Sequence, residues 1–580
     1  MNLATGLLSI DGPYNRSMTR FSHTVFLGLA FLGLAACGAA PAPPPSQAAN
    51  SAAPRDNLQR IVDQYWDEPM PPGNPLSPQF LADSLSLERR FLAEVLAVPR
   101  AGLDADAGLT YDIFKRQREL DIEGFTYPAE LLPVDPFDGM PLQFARAALD
   151  TQQHPLRAAR DYEHWLLRID DNVRWTRQAI ANMREGMRRG YTSPRALMER
   201  MLPLLQGFGE DTSGNVFYVP LRTMPESIKE PERTRLTSSL GSAVKDKLLP
   251  AYRELHAFIQ REYLPRARIS VALSALPLGP SWYAFRVKRA TGAQLSPNEI
   301  HGIGTAEVER IRARMLSLPV GAPLPPKAEL LNAYQELKVQ TLAAVPALFS
   351  AAPRADFEIR ASSLASEAAA PLAYQAAPPD GASSPAVLYV HVESNAVRPA
   401  DVAIAAFLQE AIPGRHYQSA LQQERVDLPK FRRFGSEPAF VEGWALYAAS
   451  LGDELGLYRD EEAKRGALVG QLKCAVALVV DTGLHAQDWT RAQAADYVRA
   501  QLGVDASDAG LMTDRFVALP GDALACKMGE LKFQALLTHA RQALGARFDI
   551  RDFHAEILKD GAMPMDILEA KMKLWMEARR

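Results

Sequence analysis

The chain has 580 residues, 47% apolar and 23% charged, which leaves ample material for a folded core and excludes disorder of the whole. Its 64 Lys and Arg against 68 Asp and Glu give a net charge of −4, without the basic excess that nucleic-acid binding needs. Only three cysteines occur, Cys37, Cys474 and Cys526, which excludes a disulfide framework or a Cys-rich zinc module.

The first element is the apolar run Thr24 to Cys37, 14 residues preceded by Arg16 and Arg20. It is shorter than the ~20 residues of a membrane span. A basic stretch, a short apolar run and small residues together form a secretory signal. Its end, Leu34-Ala35-Ala36-Cys37, resembles the lipobox of bacterial lipoproteins, which implies that residues 1–37 are a lipoprotein signal peptide and Cys37 the lipid anchor. A plain signal peptide is the alternative. Translation starts at Met1 or at Met18.

Residues 38–57 form a Pro/Ala-rich tether that cannot bury a core. From residue 58 to 580 we expect one large domain, mainly α, with a small β-sheet. Apolar residues recur at helical spacing in Ser84–Ala97, Arg160–Gly186, Ser242–Tyr263, Asn298–Leu318 and Lys327–Leu348. Ser296-Pro297-Asn298-Glu299 has the order of a helix start, with Ser as N-cap, Pro at N1 and Glu at N3. Strand candidates are Asn215–Val219, Phe357–Arg360 and Ala386–Val392, and Ala361–Pro385 between the last two reads as a loop.

The chemistry lies further on, in Gln409-Glu410-Ala411-Ile412-Pro413-Gly414-Arg415-His416-Tyr417-Gln418. A zinc-peptidase helix carries His at i and i+4, on one face, with Glu at i+1 as base. Here position 409 is Gln and 413 is Pro, so the bare spacing gives no zinc motif. Thirty-two residues after Glu410 comes Glu442, in Phe440-Val441-Glu442-Gly443-Trp444-Ala445-Leu446-Tyr447. Then follow Val479-Val480-Asp481-Thr482-Gly483-Leu484-His485, Pro520-Gly521-Asp522-Ala523-Leu524-Ala525-Cys526 and Phe548-Asp549-Ile550-Arg551-Asp552-Phe553-His554.

In this order, and with Leu295–His301 upstream, the segments resemble the bacterial family called domain of unknown function 885. The resemblance implies a zincin-like (gluzincin-like) fold with a modified zinc helix, His-Glu-x-x-Pro-Gly-His-His-x-Gln, and a carboxylate ligand from the Glu-Gly-Trp segment. Glu410 would be the general base, His416 and Glu442 metal ligands, and the substrate peptide-like. Gln409, Arg415, Asp481 and His485 would line the cleft. Ala386–Val392 would be the substrate-binding edge strand, with an ordinary core strand as the alternative. The i and i+7 positions of an unbroken helix lie about 10.5 Å apart along the axis, so one metal requires a break at Pro413-Gly414.

The chain departs from the pattern where the site would be. Gln409 and Arg415 replace His, Ala449 replaces the second Glu, Phe516 and Cys526 replace Tyr, and Cys474 and Ala477 stand where Arg is usual. A neutral amide is a poor zinc ligand. A guanidinium ~4 Å from a cation would repel it by about 4 kcal/mol per unit pair if Arg415 points inward. Outward, Glu410, His416 and Glu442 could still hold a weak metal. The expectation is thus a lipid-anchored protein of the bacterial envelope, on the outer membrane or periplasmic side. It would be a pseudoenzyme binding a peptide or peptide-like ligand, with an active zinc hydrolase or a scaffold lipoprotein as alternatives. Cys474 and Cys526 read as free small hydrophobes, with pairing in an oxidising envelope as the alternative.

Overall fold

The computed structural model describes residues 54–149, 156–319, 327–362, 372–377, 385–391 and 400–580. The expected signal peptide, with Cys37, and the tether up to residue 53 lie outside them. The first helix, α1 (Pro54–Asp67), begins four residues before the expected domain start.

The principal helices follow the sequence periodicity. They are α2 (Pro78–Leu96), α3 (Ala105–Gly124), α4 (Ala159–Arg189) and α5 (Arg195–Gly209). A continuous helical run from Ala243 to Tyr263 follows, with π-helical stretches at both ends of a central α segment. Next come α6 (Gly279–Thr291), α7 (Pro297–Leu316) and α8 (Lys327–Ala344). The α7 start has the expected capping box: Ser296 Oγ accepts from the Glu299 N–H, and the Glu299 carboxylate accepts from the Ser296 N–H.

The Asn215–Val219 segment is not a strand. Asn215 Oδ1 accepts from the Phe217 N–H and starts a 3-10 turn, and Pro220 at the head of Val219–Arg222 continues it as helix. Local capping overrides the β propensity of Val-Phe-Tyr-Val.

Among the described residues one sheet has three strands, β1 (Phe357–Ser362), β2 (Leu372–Gln375) and β3 (Ala386–His391), ordered β1-β3-β2. β1 runs parallel to β3, with Phe357 opposite Ala386, and β2 runs antiparallel, with Tyr374 opposite Leu388. Two expectations are corrected here. The stretch read as a loop contains β2, and β3 is the central strand, not an edge open to a peptide.

Four helices build the second half around the site: α9 (Ala400–Glu410), α10 (Arg415–Glu424), α11 (Pro438–Ser450) and α12 (Glu461–Ala486). A fifth, α13 (Leu524–Leu544), packs along α11. α12 is long and apolar enough to cross a membrane, yet 83% of its most apolar window is buried within the protein. It is the spine shared by two apolar cores. One gathers α4, α5, the Ala243–Tyr263 run and most of α12; the other gathers α1–α3, the sheet, α9, α11 and α13. Placing α12 between them buries its apolar surface all round, the main stabilising term of such a helix.

Candidate functional site

α9 stops at Glu410 because Pro413 cannot supply the next helical donor. The Ile412-Pro413 peptide is cis, and a side chain on Gly414 would collide with the carbonyls of Leu408 and Gln409. Only glycine lets the chain turn back so tightly. Trp444 Nε1 on α11 donates to the Pro413 carbonyl at 2.9 Å and ties the break to the next helix. α10 then restarts at Arg415.

The break directs Arg415 inward. Its Nη1 donates to Glu442 Oε1 at 2.6 Å, and Nη2 donates to Glu442 Oε2. Its Nε lies 3.0 Å from Glu410 Oε2, an ion contact without hydrogen-bond alignment. Glu410, Arg415 and Glu442 are only 8%, 4% and 5% exposed. Burial pushes the Glu410 carboxyl above its ordinary range, against the pull of Arg415. Burial disfavours the Arg415 charge, but the two carboxylates outweigh it and raise its pKa. Gln409 Nε2 donates weakly to Glu410 Oε1 at 3.3 Å. A Cβ on Gly470 of α12 would stand 3.7 Å from both Gln409 Oε1 and Leu446, so α12 closes the far wall.

Glu442 is positioned by backbone packing. A side chain on Gly443 would run into the backbone of Gly529, and one on Gly529 into the Ala439 carbonyl. α11 and α13 therefore meet main chain to main chain one residue from the carboxylate.

His416 faces the other way. One position past Arg415 is about 100° of helical turn, enough to send the imidazole toward the sheet. Its Nε2 lies 3.2 Å from the Ala355 carbonyl and its Nδ1 3.3 Å from the Tyr374 hydroxyl, and its ring packs on Phe357. A neutral ring donating from Nε2 and accepting at Nδ1 fits both contacts, and burial lowers its pKa to about 4. Arg415, not His416, thus joins Glu410 and Glu442. Tyr374, on the strand missed in the sequence, also bonds Ser419 at 3.0 Å.

Asp481 and His485 occupy a different junction. Both Asp481 oxygens accept the Gly521 N–H at 3.0 Å, and Oδ1 accepts from Tyr283 at 2.5 Å. Burial raises the Asp481 pKa to about 7. His485 Nδ1 accepts from the Leu273 N–H at 3.0 Å, and Nε2 pairs with the Phe516 carbonyl at 2.9 Å. Thr482 meets His301 Nδ1 at 2.9 Å. Three of the sequence motifs, around 301, 481–485 and 516–521, therefore lock onto one another. The last motif locks onto α11: His554 Nε2 accepts from Tyr447 at 2.8 Å, while its Nδ1 pairs with the Leu348 carbonyl at 2.9 Å.

Cys474 and Cys526 are not free. They form a disulfide, Cα atoms 6.0 Å apart, joining α12 to α13. Leu446, one turn beyond Glu442, packs on the pair. Their separation of 52 residues gave no local cue to pairing. Next to it, Lys527 is wholly buried between Glu530 at 2.5 Å and Glu307 at 2.8 Å.

No curated protein matches this chain. A proposed lipoprotein from Colwellia psychrerythraea has a similar crystal structure, with a TM-score of 0.76 and 24% identity over 91% of this chain and 97% of that one. A proposed lipoprotein of unknown function from Shewanella oneidensis gives 0.67 and 14% over 90% and 97%. These likenesses establish a shared fold. The sequence family described as bacterial protein of unknown function (DUF885) matches residues 73–320 and 322–572. Spanning nearly the whole described body, that match makes this chain a member of the DUF885 family.

Proposed function

We propose that this protein is a lipid-anchored envelope protein whose metallopeptidase-like site has become an ion-paired, metal-free cleft that binds a peptide-like ligand without cleaving it. The lipobox at Cys37 supports the anchor, as do two structural neighbours described as proposed lipoproteins.

One observation carries the pseudoenzyme reading: the Arg415 guanidinium pairs with Glu442 and contacts Glu410. The family resemblance would have those carboxylates serve zinc. The residues present do not fit that ion. Glu442 is committed to Arg415, Gln409 offers only a neutral amide, and His416 is engaged with Ala355 and Tyr374. A fixed positive charge stands where a divalent ion would need room, and like charges at ~4 Å repel by about 4 kcal/mol per unit pair at an effective dielectric of 20.

Zinc content after exposure and dialysis tests this. The natural protein is expected to retain no stoichiometric zinc, whereas Gln409→His with Arg415→His gains it. Mass spectrometry of incubated peptides is expected to show no cleavage by the natural protein. Stoichiometric, tightly held zinc in the natural protein would overturn the reading. Failure of the restored variant to bind zinc would overturn the zincin ancestry.

A further inference from the structure

Whereas the whole chain is net acidic, one surface built from two neighbouring segments is not. Residues 184–195 and 261–268 together hold seven arginines and two glutamates. The two segments run side by side. Arg184 pairs with Glu262 at 2.8 Å, Tyr263 accepts the Ser193 N–H at 2.6 Å, and the Arg195 N–H bonds the Arg268 carbonyl at 2.8 Å. Arg189, Arg261 and Arg266 are exposed and form no direct ion pair among the described residues, although Arg189 feels Glu130 and Glu185 and Arg266 feels Glu262 at longer range.

Two apolar side chains project from this basic surface. Ile269, directly after the second segment, is 88% exposed. Leu278 is 54% exposed. It also holds a left-handed backbone, φ 57°, a conformation leucine rarely adopts. Its neighbour Pro277 lies 3.8 Å from where a Cβ on Gly190 would stand, so Leu278 belongs to the same surface. Core burial therefore explains neither side chain.

We propose that this surface rests on an anionic lipid bilayer, with Ile269 and Leu278 entering the headgroup region and the arginines meeting lipid phosphates. Exposed positive charge together with protruding aliphatic side chains is complementary to such a surface. Nucleic acid or an acidic protein would use the charge but not the aliphatic tips. Chain length permits the posture. Pro54 sits near the Asp104 end of α3, through the Arg55–Asp104 pair, and the other end of α3 leads to Tyr127, stacked on Trp282 near Leu278. That helix spans about 30 Å. The residues between Cys37 and Pro54 can span at most roughly 55 Å. The body can thus lie with this basic surface on the membrane that holds its anchor. The anchor belongs to the function proposed above; the patch itself stands without it.

The test uses the full chain carrying Cys37→Ser, so that no acyl group is present. It is sedimented with vesicles of phosphatidylcholine and with vesicles containing about one-quarter phosphatidylglycerol. Preferential binding to the anionic vesicles is expected, with slowed amide exchange in residues 266–278. I269D/L278D and R189Q/R261Q/R266Q should each lower binding about tenfold. Both apolar positions are exposed, and aspartate tolerates the left-handed backbone better than leucine, so an unchanged Tm should accompany the loss. Equal binding to both vesicle types overturns the proposal. So does indifference to I269D/L278D, or duplex DNA binding at the same surface that ignores the aliphatic pair. None of these variants touches the Arg415 cleft, so failure here leaves the zinc result standing, and the reverse holds as well.

Discussion

Arg415 and Glu442 form a buried two-point ion pair, with each guanidinium Nη facing one carboxylate oxygen. Removing one partner leaves the other charged and out of water. Arg415→Met is therefore expected to cost about 3–5 kcal/mol, and Glu442→Met a similar amount. The double change should cost less than their sum, because only Glu410 is then left without its cation, and burial already favours its neutral form. Urea unfolding of the four proteins measures the coupling. Additive losses would show that the pair is not a unit.

The Cys474–Cys526 link closes a separation of 52 residues, for which the chain-entropy relation gives about 4 kcal/mol. Full-length protein should lose that order of stability on reduction under denaturing and refolding conditions, and C474S/C526S should match the reduced protein. Thiol alkylation followed by mass spectrometry should find both cysteines blocked before reduction. Free thiols in protein purified without reductant would contradict the link.

Acid should destabilise the fold through three buried imidazoles. Burial lowers His416 to about 4, His485 to about 3 and His554 to about 4. Unfolded, each titrates near 6.5. Their contribution is present above that value and is lost as pH falls from about 6.5 toward 4. By pH 5 each forfeits about 2 kcal/mol. Urea unfolding at pH 7 and pH 5 should show the loss, and H485Q should lessen it. Equal stability at the two pH values would contradict the neutral assignments.

Asp481 works in the opposite direction. With its folded pKa near 7, it keeps a proton that the unfolded chain has released, so its contribution fades as pH rises from about 4 to 7. D481N removes this opposing term, and the acid loss between pH 7 and pH 5 should become steeper. An unchanged slope would show that Asp481 titrates normally in the folded state.

Helices were readable where apolar spacing and caps agreed, as at Ser296-Pro297-Glu299, because both signals are local. β1 and β3 were readable from their β-branched and aromatic content. β2 was not: Leu372-Ala373-Tyr374-Gln375 lies in an Ala-rich stretch, and its pairing partner β3 is a tertiary matter. Glu410, Arg415 and Glu442 stand out in the motifs, but that Arg415 rather than His416 meets the two carboxylates, and that Asp481 and His485 lie at another junction, is not legible there. That choice hangs on one step of helical register after Gly414, which gives Glu442 to Arg415 and sends His416 to the sheet. Pairing of Cys474 with Cys526, only an alternative from the sequence, follows from the α12–α13 packing.

Gly443 and Gly529 bring two main chains together without intervening side chains. The position of Glu442 is thereby inherited from the backbone and cannot be retuned by resizing a neighbour on that side. What Glu442 faces is decided on the opposite side, at Arg415. A smaller or neutral side chain at 415 would thus leave Glu442 where it stands, so the charge this carboxylate faces is open to change by a point substitution, without refolding.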